Sequence, residues 1–593
     1  MPVPDTPDAY AQATGDVAVL VLLDRRFPEH RLLVPSTLSL LDHCGIPFRL
    51  LDLASTPLTR EALAQASAVV LAQEHLGAAM EAEAWHAILE AVRGGMGLVN
   101  FDYDLEGNAA GAGEALGLMP TGRGGAWLTD SAEKIEIAGN GHYITWAQDG
   151  VARKRLKMPV PVRLARSTAP TAVLATTTDG TPVALAAPVG RGRAVQWLAS
   201  PKLWLRQYFG HARGLDDLFW KSIVWAARKP FVMKAMPPFV RMRFDDCHGH
   251  WRNGADFRFI EVLNEFGHVP NASICVRAIT EDGARKVKEL HDTRRCEFSP
   301  HTLAPGVSIF WGDQNGPYDE ATLRRNLEEV VAAFQRWGVR YSPILSDHDH
   351  SWGPAVVPFL RARGIRYKMN ITEPDGHWND VHRDWRPAPY GSMDYALDYL
   401  PGGRDFFVVF NHYPTFEYAR AYLDADHFLY NRAGGYGEVK WDFLNGLTRG
   451  PARAENDLEA AARRLADHTR LGLDSLFFGG SITHSHFTKE LTEDEWRRLM
   501  RRADELMPRH ERIPVGYDHV AEYARSKVDT HIADAARERR GETVRVVLRG
   551  EATVPLKLYV FRDVGDGAEH RYEEVPPFRG GQEVRFTAPA GSR

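Results

Sequence analysis

Two adjacent carboxylates end an apolar run near the middle of this 593-residue sequence. The run reads FVRMRFDD, and its last two residues are Asp245 and Asp246. Two carboxylates at the end of a buried strand are costly unless a cation or a proton lies beside them. Successive strand residues point to opposite sides, so the two groups can reach different partners, one a metal ion and the other a proton or a water. The alternative is that the pair caps a following helix.

Histidines gather after several later apolar runs. The chain has 24 histidines, and many of them crowd into short segments between residues 248 and 486. His301 ends the run CEFSPH, and further pairs lie in SDHDHSWG (His348, His350) and SITHSH (His484, His486). Clusters of this kind mark candidate sites of chemistry, although a histidine in a loop is often only exposed or structural.

The surrounding pattern predicts the elements that hold these groups. From residue 236 to 525, seven apolar strands alternate with helices, which favours a (β/α)7-type barrel with its chemistry at the carboxyl ends of the strands. Residues 1–235 also alternate strand with helix, and we predict a doubly wound α/β domain there. Residues 526–593 read as short alternating strands, which predicts a small β-sandwich. The expected fold class is therefore α/β with three domains, and the proline-punctuated stretch 228–238 is the first boundary.

Composition narrows the classes of function. The chain is 44% hydrophobic and 25% charged, with a net charge of -5, so it lacks the basic footprint of a nucleic-acid-binding protein. We expect no membrane association, because no stretch approaches the roughly 20 apolar residues that a span needs, and no signal peptide, because the start has no basic n-region. Four cysteines cannot form a disulfide framework in so long a chain. These features predict a cytoplasmic protein.

The run ending in Phe244-Asp245-Asp246, with His301-Thr302 two strands later, resembles the motifs of polysaccharide deacetylases. The resemblance covers about residues 236–525 and is limited to motifs. It implies that Asp245 is a general base and that Asp246 and His301 bind a divalent metal, with zinc as the leading candidate. Cys247 stands where the family usually has glycine.

The sequence departs from that family at one metal ligand. The second histidine of the family's His-Ser/Thr-x-x-His motif falls on Pro305, which cannot bind a metal. Either the metal is lost or another histidine takes the place. We expect His348 or His350 to complete an Asp-His-His site that leaves positions open for water and substrate.

The remaining site residues follow from the same resemblance and from strand ends. The family's general acid corresponds to His484, our preferred choice, or to His486, and the two would point the same way on a regular strand. Arg386 resembles the arginine that orients the base. Further residues near the mouth, some of them aromatic and suited to stacking on sugars, are predicted to bind substrate, with a structural role as the alternative: His248, His250, Trp352 and His412.

The N-terminal region resembles class I glutamine amidotransferase-like domains in the segments TPVALAAPVGRGRAVQWLAS and LDDLFWKSIVWAAR. Active members carry a cysteine on a strand-to-helix elbow, but the matching residues 94–101 contain none, and Cys44 lies before a strand. We therefore expect a non-catalytic domain that mediates assembly, including a homo-oligomer, or that shapes the neighbouring site.

Together these patterns predict a metal-dependent hydrolase acting on an oligo- or polysaccharide, most simply by removing an acetyl group from an N- or O-acetylated sugar. One alternative is a glycoside hydrolase or polysaccharide lyase, in which Asp245 or Asp246 would need a partner carboxylate. The candidates for that partner are Asp347, Asp349 and Glu373. A third possibility is a carbohydrate-binding protein without catalysis.

Overall fold

The structure is a computed structural model of the chain. It describes residues 6–108, 113, 115–139, 141–148, 152–205, 207–211, 214–248, 257–312, 316–346, 348, 356–371, 377–379, 384–386, 407–411, 443–444, 447, 455–538 and 543–587. The chain divides into two compact units. One is built mainly from Pro4–Met236 and Ser526–Arg593, and the other from Pro237–Ala421 and Phe428–Arg525.

A ten-stranded sheet forms the base of the first unit. Its strands are β1 (Val19–Leu23), β2 (Phe48–Asp52), β3 (Ala68–Leu71), β4 (Gly97–Asn100), β5 (Leu118–Pro120), β6 (Leu128–Ile137), β7 (Ala152–Ser167), β8 (Ala172–Thr177), β9 (Pro182–Val189) and β10 (Gly192–Trp197). Their order across the sheet is β2-β1-β3-β4-β10-β9-β8-β6-β7-β5. The first five strands in this order, which are β2, β1, β3, β4 and β10, pair in parallel, and the remaining strands pair antiparallel. The predicted α/β class is confirmed.

A helix follows each of the five parallel strands. These helices are α1 (Ser39–His43), α2 (Arg60–Ala64), α3 (Ala82–Arg93), α4 (Leu105–Asn108) and α5 (Asp216–Ala226). In α3 the buried residues are Trp85, Ile88, Leu89 and Val92. This spacing of three and four residues places them on one face of the helix, which is the pattern of a helix that covers a sheet.

The second unit contains shorter sheets. Strand β11 (Phe231–Met233) still belongs to the first unit. The strands of the second unit are β12 (Phe239–Cys247), β13 (Asn271–Cys275), β14 (Glu297–Ala304), β15 (Val307–Ser308), β16 (Trp311–Gly312), β17 (Gly316–Pro317), β18 (Ile344–Leu345), β19 (Tyr367–Ile371), β20 (His377–Asn379), β21 (Asp384–Arg386), β22 (Phe407–Asn411), β23 (Gly479–His484) and β24 (Ile513–Pro514). Strands β14, β13, β12 and β23 pair in parallel in that order, and β18, β19 and β22 form a second parallel sheet.

One backbone hydrogen bond connects β14 with the segment before β18, from the Ser342 amide to the Phe298 carbonyl at 2.7 Å. Among the described residues, no strand ladder closes the two sheets into a ring. The (β/α) barrel therefore stays a prediction. What the described strands establish is a parallel edge at which the carboxyl ends of β12, β13, β14 and β23 meet.

Helices flank these strands. They are α6 (Arg258–Glu265), α7 (Glu281–Asp292), α8 (Glu320–Trp337), α9 (Val357–Arg361), α10 (Glu455–Asp474), α11 (Ser485–Thr488), α12 (Glu493–Glu505) and α13 (Tyr517–Val528). Phe244 of β12 packs on Phe259 of α6 with ring centroids 4.5 Å apart, and Trp496 of α12 stacks on Phe259. This aromatic cluster supports the strand that carries the two aspartates.

The C-terminal strands form two antiparallel sheets within the first unit. They are β25 (Thr530–Arg537), β26 (Thr543–Ala552), β27 (Leu556–Val564), β28 (Gly567–Val575) and β29 (Phe578–Thr587). One sheet has the order β25-β26-β29, and the other is β11-β27-β28. Arg537 also pairs with Asp16 at 2.9 Å. The division into three domains stays a prediction.

Two further features bear on the sequence expectations. None of the described helices combines the length and apolar character that crossing a bilayer requires. All four cysteines are buried and unpaired, including Cys247, Cys275 and Cys296 of the second unit.

Candidate metal centre

The carboxyl end of β12 is irregular at the two aspartates. Its pairing with β13 shifts register between Phe244 and Cys247, and Asp246 has a φ of 55°. A left-handed conformation of this kind costs a non-glycine residue about 1–2 kcal/mol. The hydroxyl of Ser485 donates a hydrogen bond to the Asp246 carbonyl and so holds the distorted backbone. A bulge of this kind changes the direction of a side chain relative to a regular strand.

Asp245 is paired by its own strand. The Nε of Arg243 donates to Oδ1 at 2.5 Å, and Nη2 donates to Oδ2 at 2.6 Å. The two side chains are only 2% and 7% exposed. Residues two apart on a strand share a face, which makes this bidentate pair a local feature. The guanidinium therefore balances the charge of Asp245 inside the core.

His301 lies at a second bulge. In the β13–β14 ladder Ile274 faces Pro300 and Cys275 faces Thr302, so His301 falls where the register shifts. Its Nδ1 lies 2.5 Å from the carbonyl oxygen of Ser346. A carbonyl oxygen can only accept, so Nδ1 carries a proton, and the other nitrogen of a neutral ring then has a lone pair.

That other nitrogen faces Asp246. The Nε2 of His301 lies 3.2 Å from Oδ1 of Asp246. It is buried and makes no hydrogen bond of acceptable geometry with any described residue. A lone pair and a carboxylate oxygen at this separation repel each other unless a proton or a metal cation lies beside them. A histidine that donates its other N–H to a backbone carbonyl is also the usual arrangement of a metal ligand.

His348 completes the group. Its Nε2 lies 4.0 Å from Oδ1 of Asp246, and its ring centroid lies 5.4 Å from that of His301. The ligand atoms of Asp246, His301 and His348 all lie within 4.8 Å of one another. Pro305 lies in the turn between β14 and β15. Of the two residues expected to replace a ligand at Pro305, His348 is the one that the structure describes.

The electrostatics of the group are coupled. Burial alone would raise the pKa of Asp246, but contact with His301 and the nearby rings of His484 and His348 hold that pKa well below its ordinary value. Burial alone would lower the pKa of His301, but the charges of Asp245 and Asp246 raise it. Each group therefore favours the charged form of the other.

His484 lies on the other side of Asp246. It is the last residue of β23, its backbone pairs with Asp245, and its Nε2 lies 4.0 Å from Oδ2 of Asp246. Its side chain is 16% exposed. It is therefore close to the carboxylate and accessible to a ligand, as a proton donor must be.

The other predicted residues are less fully described. His248 is buried just after β12. His486 lies in α11 and Arg386 in β21, but the structure describes only their backbones. The residues that lie outside the described part of the chain are His250, His350, Trp352, His412, Asp347, Asp349 and Glu373.

Sequence reasoning missed three supporting groups. Arg243 could have been found, because it precedes Asp245 by two residues on a predicted strand and so shares its face. The Ser346 carbonyl and the Ser485 hydroxyl could not, because both contacts join residues distant in the chain.

The donor set fits a metal ion. One carboxylate and two imidazoles suit zinc and other first-row divalent cations. The buried Nε2 of His301 without a hydrogen bond supports this fit. Three protein ligands also leave coordination positions for water and substrate, as catalytic sites do.

Comparison with known proteins gives distant structural similarities. No family model matches the chain, and no curated protein matches it. A protein from Mycobacterium smegmatis provisionally assigned as a polysaccharide deacetylase is 12% identical with a TM-score of 0.32, over 50% of this chain and 96% of that one.

Two glycosidases also match over smaller shares. A family-42 β-galactosidase is 15% identical with a TM-score of 0.24, over 37% of this chain and 31% of its own. An exo-β-1,4-mannosidase from Opitutaceae bacterium strain TAV5 is 12% identical with a TM-score of 0.24, over 35% and 36%.

Proposed function

We propose that the protein is a metal-dependent hydrolase that acts on a carbohydrate, and that it removes an acetyl group from an N- or O-acetylated sugar. The observation that carries the proposal is the convergence of Asp246, His301 and His348, whose ligand atoms lie within 4.8 Å of one another. The convergence occurs at the carboxyl ends of parallel strands, where α/β enzymes place their chemistry.

Asp246, His301 and His348 would hold the metal, with zinc favoured. When bound, such an ion increases the acidity of a water and polarises a carbonyl oxygen. The Ser346 carbonyl fixes the tautomer of His301, and Ser485 fixes the backbone of Asp246. These contacts keep the ligand atoms in place without the ion.

Asp245 is proposed as the general base. Arg243 occupies one site on each carboxylate oxygen and leaves further lone pairs for a proton. His484, partly exposed and close to Asp246, is proposed to give a proton to the leaving group. His486 remains the alternative acid, and Arg386 a second group for orienting Asp245. His248, His250, Trp352 and His412 remain the proposed contacts to the sugar, and His350 the alternative ligand.

Acyl hydrolysis is preferred to glycosidic cleavage on one observation. A glycosidase needs two carboxyl groups that are free to act on opposite sides of the bond. In the described residues of this edge, Asp246 faces two histidines, so Asp245 is the one carboxylate of the pair left for proton transfer. That arrangement suits one base and one metal ligand.

Metal analysis together with product assays tests the proposal. Protein purified without chelator should hold about one equivalent of zinc or a similar metal, and Asp246→Asn and His301→Ala should lose it. His291→Ala is the matched control, because His291 lies on α7 and pairs with Asp292. Wild-type protein should release acetate from a panel of N- and O-acetylated sugars.

Four results would contradict the proposal. The first is wild-type protein without stoichiometric metal, and the second is full metal content in both site variants. The third is glycosidic cleavage or elimination of the same substrates without acetate release, which would favour a glycosidase or a lyase. Sugar binding with no turnover would favour a binding protein.

A further inference from the structure

A second group of polar residues lies at the carboxyl ends of the parallel strands in the first unit. In the order β2-β1-β3-β4-β10, the chain passes from β2 over β1 to β3, so β1 and β3 flank a topological switch point. Open α/β sheets bind ligands in the crevice outside the carboxyl ends of strands at such a point. His75 follows β3 there, and Asp102 and Asp104 follow β4.

A buried polar frame holds these loops. Asp102 is fully buried, and its carboxylate accepts the backbone N–H groups of His75 at 3.1 Å, Gly77 at 2.8 Å and Asp104 at 3.1 Å. The side chains of Asn100 and Gln196 hydrogen bond at 2.8 Å and connect β4 to β10. Buried polar groups are expensive, but a fully satisfied network is rigid. The loops are therefore fixed before any ligand arrives.

The side chain of His75 is not part of this buried frame. Its φ is 62°, and its Nδ1 lies 2.9 Å from Oδ2 of Asp104, whose Oδ1 accepts from Arg163 at 2.8 Å. The side chain of His75 is 49% exposed, and its Nε2 has no partner among the described residues of this unit. An oriented imidazole with one open nitrogen is a group that can bind a ligand or move a proton.

The charges around His75 select the ligand class. Three carboxylates lie there, Asp104 near the surface and the buried Glu74 and Asp102. Lys202 pairs with Glu74 at 2.7 Å, and Arg163 pairs with Asp104. Since cations and carboxylates nearly balance, the cluster favours neither a free anion nor a free cation. Hydroxyl groups, which both donate and accept, match this mixture of donors and acceptors.

We infer that the edge formed by His75, Asp104 and Lys202 is a second binding site, separate from the metal centre, for a neutral polyhydroxylated ligand such as an uncharged sugar. His75 Nε2 forms the central hydrogen bond to a ligand hydroxyl. Asp104, held by Arg163, orients the ring and acts as a positioning residue.

Saturation-transfer difference NMR on the full chain tests the inference. An Asp246→Asn background removes metal-dependent binding at the other centre, so the result does not depend on the proposed function. The probes are methyl β-D-glucopyranoside and methyl β-D-galactopyranoside as neutral sugars, glucuronate as an anion and glucosamine as a cation. His75→Asn removes the imidazole, and asparagine tolerates the left-handed backbone. His86→Asn is the matched control, on an exposed histidine of α3.

At least one neutral glycoside should bind, and His75→Asn should raise its dissociation constant at least tenfold while His86→Asn leaves it unchanged. Asp104→Asn, which leaves His75 in place, should give a smaller rise. Equal binding by the His75→Asn and His86→Asn proteins would overturn the site. Binding of glucuronate or glucosamine alone, or of no probe at all, would overturn the ligand class.

Discussion

Replacing Arg243 with methionine removes the cation that faces Asp245 in the core and leaves a buried carboxylate alone. The two hydrogen bonds at 2.5 and 2.6 Å are both charge-assisted, and such bonds contribute about 1.5–3 kcal/mol each. Breaking a buried pair from one side costs about 3–5 kcal/mol. With an unfolding entropy of about 2.1 cal/mol/K per residue over the roughly 290 residues of this unit, that loss lowers the melting temperature by roughly 5–8 °C. Differential scanning calorimetry measures it.

Two companion variants separate charge from packing. Arg243→Lys keeps the charge but cannot form the planar pair, so its melting temperature should fall between those of wild type and Arg243→Met. The double variant Arg243→Met/Asp245→Leu removes both charges and should recover most of the lost stability. Under the proposed function it should still release no acetate. If Arg243→Met melts within about 2 °C of wild type, below the range that a broken buried pair implies, the pair is not a buried ion pair.

Three further predictions concern other contacts. Ser485→Ala removes the hydrogen bond to the Asp246 carbonyl and should weaken metal binding by about 10–100-fold in a competition titration. Unchanged affinity would mean that the backbone at Asp246 keeps its conformation without the Ser485 hydroxyl. Thr492→Ala removes the capping box of α12 and should lower the free energy of unfolding by about 1 kcal/mol, whereas Thr492→Ser should not. Burial raises the pKa of Asp102 to about 6, above its unfolded value of about 3.9. The folded protein therefore binds this proton more tightly, so wild type should gain stability relative to Asp102→Asn as the pH falls from 7 to 4; parallel pH curves in chemical denaturation would refute this.

The strand-end carboxylates and histidines could be anticipated because strand ends at a parallel edge meet in space. That rule, with the family resemblance, is enough to name Asp246 and His301 as neighbours and to reduce the candidates for a third ligand to His348 and His350. The strand-end rule does not predict how far each side chain departs from the regular alternation between the two faces of a strand. The register shifts at Asp246 and His301 depend on both partner strands, so one strand's sequence could not reveal them.

It was equally hard to predict which segments of the chain make up the first unit. The strand pattern of the N-terminal residues predicts a parallel sheet, and five strands of the ten-stranded mixed sheet pair in parallel. The pairing of β11 with β27 connects Phe231 to Phe561, more than three hundred residues away. Local periodicity carries no information about such a pairing. The dependence of residues 526–593 on the N-terminal region therefore emerges only in three dimensions.

The bidentate contact between Arg243 and Asp245 also sets the net charge that an ion would meet. Because Arg243 balances the charge of Asp245, Asp246 is the one carboxylate of the three-residue donor set, and neutral imidazoles add no charge. A divalent ion would leave the assembly with a single positive charge. A net positive charge would attract the oxygen that becomes negative when a carbonyl is attacked, whereas a second free carboxylate would cancel that positive charge. Under the proposed function, the arginine would therefore make the centre more electrophilic without contacting the metal.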